Sequence, residues 1–129
     1  MPSMNELLED IKTQTKSLSQ PYEKQFHTAT TAAMATTLAP RVLFRLISVV
    51  LKVNTARTTS ESFTVTKDAA VGAVYDQLLA TQNTASPAIT DLYLPFGKGY
   101  EFEALDEIDC AWPNTENRTY GVIYTWQPL

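Results

Sequence analysis

Between residues 42 and 53 the hydrophobic side chains follow a period of two. Val42, Phe44 and Leu46 alternate with Leu43, Arg45 and Ile47, and Val49, Leu51 and Val53 continue the run. That period belongs to a strand, whose side chains point alternately to opposite faces. Apolar residues on both sides of the alternation predict a long strand covered on much of both faces. Arg45, Ser48 and Lys52 interrupt the run, which falls short of the ~18 apolar residues that a membrane-spanning helix needs. A strand of this kind requires further strands to pair with it.

The sequence after it supplies them. Residues 62–66 alternate, with Phe63 and Val65 on one side, and residues 89–94 form a strand that ends at Pro95. Gly97 and Gly99 bracket a turn, and residues 100–104 are a short extended segment. Residues 107–112 make another strand, closed by Pro113 and Asn114, and a last one runs from Thr119 to Trp126. Between them, 55–61 is a polar connection, 69–72 a turn or single helical turn, and 82–87 a loop, while 74–81 is ambiguous between helix and strand. Short strands at roughly ten-residue spacing point to a sandwich or jelly roll rather than an α/β fold. With 129 residues, about two-thirds of the unfolded surface can be buried, enough for one core and not for two.

The first forty residues have a different character. Ser3 and Glu6 have the spacing of a capping box, and Met4, Leu7, Leu8, Ile11 and Leu18 fall on one stripe of a helix that Pro21 ends. About fifteen residues are marginal as an isolated helix, so the stripe requires a partner: the chain's own body, a symmetry mate or a foreign surface. From residue 19 to 40 the composition turns to Thr and Ala without any glycine, which reads as an extended arm, with a short Ala-rich helix as the alternative. The expected fold is thus mostly β: a jelly-roll-like sandwich over residues 41–129, preceded by a short N-terminal helix and an extended arm over residues 1–40. Met4, Leu7, Leu8, Ile11, Leu18, Phe26 and Met34 are its candidate partner-binding residues.

Catalytic chemistry finds little support. The single histidine, His27, lies in the Thr/Ala arm, away from Cys110, and no spacing brings a Ser–His or Cys–His couple together. Cys110 sits on an inferred strand, where a cysteine packs as a small hydrophobe, and a lone cysteine excludes an internal disulfide. With four glycines there is no phosphate-cradling loop, and no zinc spacing occurs. No cofactor is expected. Glu101, Glu103, Asp106, Glu107 and Asp109 form the best cation candidate, although polar strand faces produce the same alternation. Asn117, Arg118 and Thr119 match a glycosylation acceptor, read here as a polar turn because no basic and apolar leader opens the chain. A net charge of -4 argues against broad nucleic-acid binding, and nothing indicates a membrane partner. Tyr100, Trp112, Tyr120, Tyr124 and Trp126 are either core and interface residues or a sugar-stacking platform, and the apolar face of Tyr120, Val122, Tyr124 and Trp126 favours core.

The segments VLKVNTARTTSESFTVTKD, GAVYDQLL, ITDLYLPFGKGYEFE and DEIDCAWPNTENRTYGVIYTW together resemble the jelly-roll bodies of small virion proteins of tailed bacteriophages, among them capsid decoration, cement and head-fibre proteins. That resemblance implies a non-enzymatic structural protein of the phage particle, assembled in the host cytoplasm. Its partners would be the major capsid protein or other virion proteins, and a homotrimer would suit the three-fold sites of a shell. A cement protein would bridge neighbouring capsid subunits through its N-terminal arm. A head–tail neck or fibre-attachment component, or a glycan- or receptor-binding module, are the other readings.

Overall fold

The computed structural model describes residues 3–4 and 21–129. They contain eight strands: β1 (Glu23–Thr30), β2 (Met34–Leu38), β3 (Phe44–Val53), β4 (Ser62–Asp68), β5 (Gln77–Asn83), β6 (Asp91–Phe102), β7 (Glu107–Trp112) and β8 (Thr119–Pro128), with one 3-10 turn at Ala73–Tyr75. The strands form two antiparallel sheets ordered β1-β8-β3-β6 and β2-β7-β4-β5. Most of the expected helix, including Leu7, Leu8, Ile11 and Leu18, lies outside the described residues. Met4 is described and exposed.

The inner faces of the two sheets make one core. Phe44, Leu46, Val49, Leu51, Val122 and Tyr124 of the first sheet meet Phe63, Val65, Ile108, Cys110 and Trp112 of the second. Phe44 stacks on Phe102 at 4.8 Å, and Trp112 meets Tyr120 edge-on at 5.6 Å. Burying side chains of this size contributes roughly 1.5–3 kcal/mol each. Two polar tips in this core are satisfied: the Tyr124 hydroxyl donates across the sandwich to the Thr36 carbonyl at 3.1 Å, and Trp112 Nε1 donates to Thr84 Oγ1, just after β5, at 3.2 Å.

Two sequence expectations change. Of the arm expected over residues 19–40, most is sheet: β1 pairs along its whole length with β8, and β2 with β7. In β2, Met34, Thr36 and Leu38 turn inward and Ala35 and Thr37 outward, an alternation of small residues too weakly apolar to stand out in the sequence. The boundary between arm and body at residue 40 therefore does not coincide with the edge of the sandwich. Similarly, residues 89–104 do not break at Pro95. Pro95 is tolerated inside β6 because β6 is an edge strand, where its missing N–H leaves no ladder bond unmade.

A bulge explains why two phases of alternation coexist in the long strand. Leu46 pairs with Trp126 and Ser48 with Thr125, so two steps along β3 match one along β8. The extra residue carries Val49, Leu51 and Val53 to the same inner face as Phe44 and Leu46. Against β6 the mismatch is larger, with Leu46 opposite Tyr100 and Ser48 opposite Pro95, and residues 96–99 swing out around it. Gly99 makes the close turn with φ of 110°, where an added Cβ would collide with the Arg45 side chain.

Candidate functional site

Of the sequence-predicted partner residues, the structure presents Phe26 and Met4 to solvent and withdraws Met34. Phe26, on the outward side of β1, is 68% exposed, whereas Met34 is 3% exposed in the core. Met34 belongs to the inward set of β2, so it holds the sandwich together and offers nothing to a partner. The sugar-stacking alternative loses its platform for the same reason: Trp112, Tyr120 and Tyr124 are buried and Trp126 packs against the core.

Among the described residues, His27 and Cys110 do not come together as a catalytic couple. His27 turns toward Tyr120, with ring centroids 6.0 Å apart. Cys110 is fully buried, and desolvation pushes its thiol up to about 12. Burial likewise raises the Tyr124 phenol well above its ordinary value. The acidic group disperses into separate contacts. Glu101 pairs with Arg45 at 3.3 Å and Glu107 with Arg41 at 3.2 Å, while Asp109 accepts the Thr37 hydroxyl hydrogen bond at 2.7 Å. Among the described residues, no three potential metal ligands converge.

Two polar constructions escaped sequence reading. At one end of the sandwich, Glu116 accepts backbone N–H bonds from Thr58 and Thr59, both at 3.0 Å, and the Thr58 hydroxyl bond at 3.0 Å. Those donors, Thr59 first and then Thr58, hold its carboxyl at about 2. Reciprocally, Glu61 accepts the Thr115 N–H at 3.2 Å and hydroxyl at 2.8 Å. Asn114, buried with φ of 49°, ties the connection before β8 to Ala32 and Arg118. The tripeptide at Asn117 is part of this turn.

The second construction, at the β4–β5 connection, holds an apolar tip outward. Residues 69–76 read AAVGAVYD. Asp76 accepts the Ala69 N–H at 2.8 Å, and Asp106 accepts the Ala70 N–H at 3.0 Å and the Glu103 N–H at 2.9 Å. Asp106 itself is buried and lies 3.7 Å from Lys67, whose ammonium also sits over the Tyr100 and Phe102 rings. The connection is therefore pinned at both ends, while Val71, Val74 and Tyr75 project into solvent, Val74 being 87% exposed. Leu105 is exposed beside Asp106 on the adjoining connection. Hydrophobes displayed in this way mark contact surfaces rather than core. No protein-family model matches the chain, and no curated protein matches it.

Proposed function

We propose that this protein is a non-enzymatic structural component of a phage particle, a cement or decoration protein that bridges neighbouring major capsid subunits. The observation that carries the reading is the apolar tip of Val71, Val74, Tyr75 and Leu105. Its backbone is pinned by Asp76 and Asp106, so little ordering entropy is lost when a partner covers it. The strand order supports treating the sandwich as a jelly roll: the first sheet takes β1, β3, β6 and β8 and the second β2, β4, β5 and β7, so every connection except β4–β5 crosses between the sheets. Residues 1–20 precede an edge strand, and Met4, Leu7, Leu8, Ile11 and Leu18 are assigned as the second point of attachment to an adjoining subunit.

Co-sedimentation with purified capsid shells tests this. The intact protein should pellet with shells, and a Val74→Asp, Tyr75→Ser variant should bind at least tenfold more weakly while keeping its circular dichroism spectrum. A chain lacking residues 1–20 should lose binding as well; the cut must stop there because residues 23–38 belong to the sheets. Undiminished decoration by both variants overturns the reading.

A further inference from the structure

The outward side of the first sheet carries an apolar row that crosses all four strands. Phe26 of β1 lies opposite Ile123 of β8, Ile123 opposite Val50 of β3, and Val50 opposite Tyr93 of β6. Phe26 and Tyr93, at the two ends, are each more than 60% exposed, and the two aliphatic residues between them are half-buried. The outward face of the second sheet is different: it presents Ala35, Thr37, Thr64, Asp109 and Ala111, with exposed Leu78 at its β5 edge and no apolar row across the four strands.

We infer that the outward face of the first sheet is a self-association surface, on which two copies pack face to face about a two-fold axis running along the strands. The occupant is a second copy because the row is self-complementary. Its order is aromatic, aliphatic, aliphatic, aromatic, so the two-fold sets Phe26 against the partner copy's Tyr93 and Ile123 against its Val50, each contact being made twice. The charges on the face agree with that pairing. Lys52 and Asp91 already neutralise each other at 2.9 Å within the sheet, and the same operation sets Lys52 over a glycine, Gly121, and Lys24 over Pro95. Among the paired residues of the four strands, no two like charges meet. Four strands about 4.8 Å apart and five residues of about 3.3 Å outline about 320 Å² on each copy, so two copies bury roughly 600 Å² between them. That is below the size of stable specific interfaces, so the dimer is weak, reversible and concentration-dependent.

Sedimentation equilibrium over a wide concentration range reads this directly on the full chain. The mass should rise from the 14.4 kDa monomer towards twice that value. Phe26→Lys and Tyr93→Lys alter exposed positions and should each weaken association roughly tenfold or more. The orientation has its own test: Phe26→Cys mixed with Tyr93→Cys should give a disulfide-linked dimer on mild oxidation, and Phe26→Cys alone should not, since that residue lies a full sheet width from its counterpart. A monomer at every concentration, a trimer, or an assembly indifferent to both lysine variants overturns the inference. Shell binding is a separate readout, so failure of the cement reading would leave the dimer standing, and failure of the dimer would leave shell binding standing.

Discussion

The guanidinium of Arg57 lies 5.0 Å from the centroid of the Trp112 ring, with its side chain wholly buried. Glu116 Oε2 approaches Arg57 Nη2 to 3.0 Å, an ion pair by distance but not aligned as a hydrogen bond, and Arg57 Nε and Nη1 have no hydrogen-bond partner. The cation is thus held by a ring face and one carboxylate, and both sit on the chain around β7 and β8. The connection before β4 is fastened to the connection before β8 by charge as well as by the hydrogen bonds of Glu61 and Glu116.

This arrangement orders the effects of two substitutions. Glu116→Gln leaves the Arg57 charge buried without a counter-charge, whereas Arg57→Met leaves Glu116 with its bonds from Thr58 and Thr59 and an apolar side chain on Trp112. Thermal melts at pH 7 should therefore show a larger fall in Tm for Glu116→Gln than for Arg57→Met. The reverse order would show that the ion pair does not hold the two connections together.

Acid should act through the same carboxyl. The folded value of Glu116, about 2, lies below its ordinary 4.5, so the folded state binds the proton less readily than the unfolded chain. The stabilisation is fully present above about 4.5 and is lost as pH falls from there towards 2. Melting temperature measured from pH 7 to pH 2 should drop across that window, and the Glu116→Gln variant should show a shallower drop.

Cys110 should be inert in the native protein. A shift from 9.0 to about 12 lowers its thiolate fraction near neutral pH by roughly a thousandfold, and the sulfur is buried besides. A chromogenic disulfide reagent at pH 8 should label nothing until denaturant is added, then one thiol per chain.

Phe44→Ala and Phe26→Ala separate core from display. Phe44 is fully buried in its stack on Phe102, so its loss should cost about 3–5 kcal/mol in urea unfolding. Phe26 is mostly exposed, so its loss should change stability by less than about 0.5 kcal/mol. Equal effects would mean that Phe26 is a packing residue of the monomer.

Gly99→Ala tests the excursion in β6. It combines a φ of 110° with a Cβ that meets Arg45, and should cost about 1–3 kcal/mol while the pairing of β3 with β8 survives. Amide exchange should quicken along residues 96–101 and stay slow in Leu51 and Val122.

Much of the sandwich is legible in the sequence because its inner strands carry strong local signals. The alternation of Phe63 and Val65, of Ile108, Cys110 and Trp112, and of Tyr120, Val122 and Tyr124 survives unchanged into the core. The candidate surfaces are less legible. Phe26 and Met34 look alike as isolated hydrophobes in a Thr/Ala stretch, yet one is displayed and the other buried. Which of them faces out depends on strand phase, and that phase is assigned by the partner strand.

By itself the sequence determined that the body after residue 41 is built of strands, and it located the inner ones, because a two-residue period is a local property of the backbone. Tertiary structure decided the rest. It turned most of residues 23–38 into edge strands through β8 and β7, which lie roughly seventy to a hundred residues away in the chain, and used the bulge at Ile47 to keep one core face across two phases. It also brought Phe26, Ile123, Val50 and Tyr93 from four separate segments into one row. Such pairings are non-local hydrogen-bond registers, and register is settled only when both faces of a sheet find what covers them.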